Sequence, residues 1–116
     1  MIEGTWKLIG GEQEGKPEPQ EELERSKLVI EGDMHTVTIG DAVLKGTHTL
    51  DTTTDPMSID ATDTAGPFAD MSLKGIFQLD GETLKICFAA PNEPRPADFT
   101  TQDGQATLMH IWKKQM

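Results

Sequence analysis

Tyrosine is absent from the 116 residues, cysteine occurs once, and aromatic side chains make up only 5 % of the chain. The single Cys87 excludes an internal disulfide. Bases are scarce as well: 10 Lys and Arg stand against 20 Asp and Glu, a formal net charge of −10. That balance argues against a basic face for nucleic acid or an anionic membrane surface. No apolar run approaches the roughly 20 residues of a membrane span. Met1-Ile2-Glu3-Gly4 offers neither a basic region nor an apolar run for secretion, so a cytoplasmic location is expected. There is no G-x-S-x-G, no P-loop, no G-x-G-x-x-G and no pair of apolar-flanked carboxylates suited to acid–base work. The chain is therefore expected to be no enzyme and to carry no cofactor.

What is present is strand and turn. The length allows one domain, residues 1–116, that buries roughly 60–70 % of its unfolded surface. Trp6 and Leu8 alternate with Thr5 and Lys7 in a first strand, Gly4–Gly10, stopped by Gly10-Gly11. Residues 12–24 hold six glutamates and one lysine, half the net charge; the default for such a run is a solvated, self-repelling loop. Pro17 and Pro19 argue against a ladder strand there, and Gln20–Arg25 can form a helical turn or two with Leu23 as its one apolar member. Seven further strands are predicted at Lys27–Glu31, Met34–Ile39, Ala42–Leu50, Met57–Thr62, Met71–Leu79, Glu82–Phe88 and Ala106–Lys113. Gly32-Asp33, Gly40-Asp41 and Asp80-Gly81 read as two-residue hairpin turns.

These turns fix registers. Leu28 faces Val37 and Ile30 faces His35 around the first. Ile39 faces Ala42, Val37 faces Leu44 and His35 faces Gly46 around the second. Phe77 faces Leu84, Gly75 faces Ile86 and Leu73 faces Phe88 around the third. Each register collects the larger apolar side chains on one face, and this agreement between turn chemistry and pattern points to an all-β fold. Val29, Val43 and Ile76 fall on the other face and are expected to point outward. Eight antiparallel strands joined in a meander close into an up-and-down barrel, with a short helix after the first strand. Connections alternate between its ends. One end carries 11–26, 40–41, 63–70 and 89–105, and because three of these four are long it is marked as the mouth.

Several stretches resemble a known group. Gly4-Thr5-Trp6 opening the first strand is similar to the G-x-W of the lipocalin superfamily. Together with Gly15-Lys16-Pro17, the stretch Leu79–Phe88 with its Cys87-Phe88, and Arg95-Pro96-Ala97-Asp98-Phe99, it resembles a family of small uncharacterised bacterial lipocalin-like domains abundant in planctomycetes. The resemblance spans essentially the whole chain and implies the same barrel. Lipocalins place an arginine from the last strand over the tryptophan; here the nearest candidates are Lys113 and Lys114.

The candidate ligand-binding residues are Phe68, Met71, Phe88, Arg95 and Phe99, which would hold a small apolar or amphipathic molecule at the mouth, with Arg95 meeting a carboxylate. The competing reading has Phe68 and Phe99 plugging the barrel end while Arg95 and Asp98 pin the loop. His35 and His48 fall on the inner face as diagonal neighbours roughly 7–8 Å apart at Cα, toward the short-turn end. Their spacing matches no zinc pattern, so no metal is expected and they read as hydrogen-bonded histidines. Cys87 has no evident activating partner and reads as a structural thiol on the outer face. The functional expectation is a non-catalytic binding domain; the alternative is a protein-interaction or structural module with a filled core.

Overall fold

The computed structural model describes residues 2–13, 15–17, 19–39, 41–65, 71–90, 93–99 and 107–115. Its strands are β1 (Gly4–Gln13), β2 (Lys16–Pro17), β3 (Lys27–Glu31), β4 (Met34–Ile39), β5 (Ala42–Asp51), β6 (Met57–Ala65), β7 (Ser72–Asp80), β8 (Thr83–Ala89) and β9 (Thr107–Gln115), with one helical turn, α1 (Gln20–Glu24). The ladder runs β2-β1-β3-β4-β5-β6-β7-β8-β9, and β1 also pairs with β9. Eight antiparallel strands thus close into a barrel, and the two-residue β2 flanks β1.

Four local details differ from the sequence expectation. β6 runs on to Ala65, through residues expected as loop. β1 does not stop at Gly10-Gly11. A register shift between Leu8 and Gly10 lets it continue along β9 as far as Gln13↔Leu108, and Ile9 at the shift is thrown outward, 48 % exposed. Pro17 does enter a ladder, pairing with Glu12. It can do so because β2 lies at an edge, where no donor is needed on its far side. The third hairpin is displaced: Asp80 pairs with Thr83, so Phe77 faces Ile86 and Gly75 faces Phe88. The two turn residues are Gly81 and Glu82, with Gly81 at φ 60°, just as Gly32 at φ 60° leads the turn closed by Glu31↔Met34. The alternation could not detect this displacement, because it moves the pairing by two and keeps every side chain on its face. The other two hairpins have the predicted partners, including Ile30↔His35 and His35↔Gly46.

One half of the barrel interior is packed solid. Ile2, Trp6, Leu8, Phe77 and Leu84 are fully buried there and meet Leu28, Ile30, Ile59, Ile86 and Trp112. Each such side chain contributes about 2–3 kcal/mol of transfer free energy. Trp6 Nε1 donates to the Ile2 carbonyl at 3.0 Å, so the segment before β1 closes this end. The ammonium of Lys114 lies 5.7 Å from the centroid of the Trp6 ring, a cation–π contact. Leu23 of α1 packs on the same cluster.

A second, smaller cluster lies outside the barrel wall. Ile76, Cys87 and Met109 are neighbours across β7, β8 and β9 on the outward face, and Phe99 and Ile111 pack against them. Ile76 therefore does point outward, yet it is only 2 % exposed because residues 93–99 cover it. Among the described residues no helix is long and apolar enough to cross a membrane.

Candidate functional site

The other half of the interior is hollow. A cavity of about 320 Å³ lies inside β3 to β9. Its wall is mostly hydrocarbon, with Val37, Leu44, Leu73, Phe88 and Leu108 above the shared layer of Ile59, Ile86 and Trp112. Ile39, Ala89, Ala90 and Thr107 also line it. These residues border the long connections, so the hollow half faces the end expected to be the mouth. Gly75 makes room for the wall's main aromatic. A Cβ there would lie 2.6 Å from the Phe88 ring, which rests across the bare glycine.

Into this hydrocarbon project five polar side chains: His35, His48, Asp63, Thr107 and His110. Three of them form a chain. His35 Nε2 lies 2.8 Å from Asp63 Oδ1, and His35 Nδ1 lies 3.2 Å from His48 Nδ1. The two rings stack at 5.4 Å between centroids, inclined by 29°. The side chains of His35 and Asp63 are only 9 % and 5 % exposed. A carboxylate only accepts, so His35 Nε2 carries its hydrogen, and one proton lies between the two Nδ1 atoms.

The backbone explains why these groups meet. His35 pairs with Gly46, and Gly46 pairs with Asp63, so the three lie in one row across β4, β5 and β6. Gly46 has no side chain, and His35 reaches over it to the carboxylate. The glycine is also sterically required, since a Cβ would fall 2.1 Å from the Thr62 carbonyl oxygen beside a register shift in β5. His35 is the second residue of β4, next to the short turn, whereas Asp63 lies near the long-connection end of β6. A row that starts at one end of the barrel and finishes at the other is the shear that closure demands. The histidines therefore line the cavity while standing, as expected, at the short-turn end, where the His48 backbone N–H donates to the Asp33 carbonyl at 2.8 Å.

Burial holds the His48 imidazolium below its ordinary pKa, and charge on His35 lowers it further; the carboxylates of Asp33 and Glu3 and the Gly32 carbonyl oppose this. Burial lowers His110 to about 4. Its ring meets Trp112 edge-on at 5.7 Å. Thr107 is 9 % exposed, and among the described residues its Oγ1 has no hydrogen-bond partner. Also among the described residues, no group of three or more His, Cys, Asp or Glu side chains is arranged to hold a metal ion.

Of the five residues expected at the site, the structure places one in the cavity wall, Phe88. Met71 is 44 % exposed before β7 and is not part of the wall. Phe68 lies outside the described residues. Arg95 and Phe99 require a correction, because they sit on the outer wall and not at a rim. Arg95 Nη1 donates to the carbonyls of Gly75 at 2.8 Å and Ile59 at 3.2 Å, and Nη2 donates to Asp60 Oδ1 at 2.6 Å. The guanidinium thus clasps the 93–99 segment onto β6 and β7. Phe99 seals Cys87, with the Lys85 ammonium 5.6 Å from its ring centroid. Beneath it the Cys87 thiol is fully buried, and desolvation, with the charges of Asp98 and Glu12, pushes its pKa up to about 11. Such a thiol is inert.

Asp63, Thr107 and His110 are the polar cavity residues that sequence reasoning missed. Asp63 fell in a segment read as loop, because Asp and Thr alternate there without large apolar partners. The available signal was Gly46 on the inner face opposite His35, an empty place in the row that a third strand could fill. Comparison with known proteins finds no family model that matches the chain and no curated protein significantly similar to it.

Proposed function

We propose that the protein is a lipocalin-like, non-catalytic binding domain that takes one small apolar or amphipathic molecule into its lumen. The observation carrying this reading is the hollow half of the barrel: about 320 Å³ of apolar space with Thr107 Oγ1 buried against it and unpartnered among the described residues. Well-packed interiors do not leave such space without use, and a buried hydroxyl is ordinarily hydrogen-bonded. Pockets of this size, mostly apolar with a few placed polar groups, are the usual form of a small-molecule site. The barrel supplies rigid walls, and the polar row supplies orientation. A filled core fits the Trp6 half alone.

Trp112 lines the cavity, so its fluorescence reports occupancy. Titration with a simple apolar probe such as 1-octanol is expected to change tryptophan emission and to raise Tm, as any ligand of the native state must. Ala61 is buried in the wall. Ala61→Phe, or Leu73→Phe as a second variant, fills the lumen and is expected to abolish both effects while circular dichroism stays that of a barrel. Absence of any response in the native protein, or a response that survives both fillings, would refute the reading.

A further inference from the structure

The polar wall of the lumen defines what kind of molecule the hollow accepts, given the reading of the lumen as a binding site. Among the described lining residues there is one carboxylate, Asp63, and no lysine or arginine. The histidine pair cannot reverse that sign. One proton fits between Nδ1 atoms 3.2 Å apart, and a second would set two cations against each other. Asp63, His35 and His48 together are therefore anionic or neutral. A ligand carboxylate would enter without a counter-charge and confront Asp63 inside hydrocarbon, the costliest arrangement for an ion. The whole chain, at −10, adds a field that draws cations and repels anions.

Asp63 is also underused. An ionised carboxylate offers about four acceptor positions. Among the described residues the hydrogen bond to this one comes from His35 Nε2 at 2.8 Å. A ligand N–H would fill the remainder. Thr107, on β9 and separated from β6 by β7 and β8, presents its hydroxyl from another wall of the same space. The volume of about 320 Å³ lies at the small end of ligand pockets, roughly 300–1,000 Å³, which suits a body of about eight carbons.

We infer that the lumen selects a small primary amine, its ammonium on Asp63 and its hydrocarbon body against Val37, Leu73 and Phe88, and rejects a carboxylate of the same length.

Calorimetric titration of the native protein at neutral pH with n-octylamine, 1-octanol and octanoate tests this, repeated on Asp63→Asn and Ala61→Phe. Octylamine is expected to bind at least about tenfold tighter than octanol, and octanoate more weakly than either. Asp63→Asn should bring octylamine level with octanol and leave octanol binding intact, which also shows that the variant is folded. If that variant does not fold, Asp63→Ser replaces it, and the native ranking still decides. Octylamine binding no tighter than octanol, or an amine preference that survives loss of the carboxylate, overturns the amine assignment. The lumen reading then stands, provided that octanol binds and Ala61→Phe abolishes its binding. Failure of all three probes to bind, or binding indifferent to Ala61→Phe, overturns both.

Discussion

His110 should make the barrel acid-sensitive by a calculable amount. Its imidazole lines the lumen beside Trp112 and is held neutral by burial, with a pKa of about 4 against an ordinary 6.5. An unfolded chain takes up this proton as pH falls through 6.5, whereas the native state does not take it up until about 4. Between those values the unfolded state binds more protons, so stability falls as pH falls. The contribution is fully present above 6.5. Integrating the two titrations down to about pH 4.5 gives a loss of about 2.5 kcal/mol from this residue alone. For a domain of this size that is about 10 °C in Tm. His48, lowered in the same direction, adds to it. His110→Phe keeps an aromatic edge on Trp112, and whatever it costs at neutral pH drops out of the comparison between two pH values. Urea unfolding of native and variant protein, followed by tryptophan emission at about pH 7.5 and 4.5, isolates the residue, because every other titrating group is common to both. The native protein should lose about 2.5 kcal/mol more than the variant over this interval. Parallel pH dependences in the two proteins would show that His110 titrates normally and that the burial argument is wrong.

Two further outcomes follow from the packing. Gly46→Ala forces a methyl onto the Thr62 carbonyl, with an expected cost of about 3 kcal/mol in denaturant unfolding and loss of the His35–Asp63 contact, visible as a changed imidazole resonance. Native stability in that variant would mean that the β5–β6 approach is looser than described. Arg95→Met removes three hydrogen bonds from a half-buried guanidinium, with an expected cost of about 2 kcal/mol. Cys87 should then react with an aromatic disulfide reagent much faster than in the native protein; an unchanged rate would mean that Arg95 does not hold the strap.

The barrel was legible in the sequence because its hairpins leave a signature in two independent places. Turn residues such as Gly32-Asp33 and the apolar alternation of Leu28, Ile30, Val37 and Leu44 give the same answer, and the ladder agrees. Between β7 and β8 the turn signal itself was misplaced, Asp80-Gly81 being read for Gly81-Glu82, and alternation cannot see a displacement of two residues. The cavity was harder to see. His35 and His48 were placed correctly, on the inner face near the 32–33 turn, but their meeting with Asp63 depends on the stagger of all the strands, which no single hairpin encodes. Arg95 and Phe99 misled for a related reason. A loop that begins at the mouth can fold down the outside, and the apolar seat that draws it there, Ile76 with Cys87 and Met109, assembles from three strands far apart in the chain.

The ring is unevenly joined. β1 shares eight residue pairs with β9 and four with β3. Every other seam between the long strands has at least five. A hoop springs at its shortest overlap, and here that overlap is backed by a single turn of helix resting on Leu23. Local breathing therefore starts between Lys7 and Lys27, and the first amides to exchange with solvent in the wall will be those of Lys27–Ile30, ahead of the long strands on the far side.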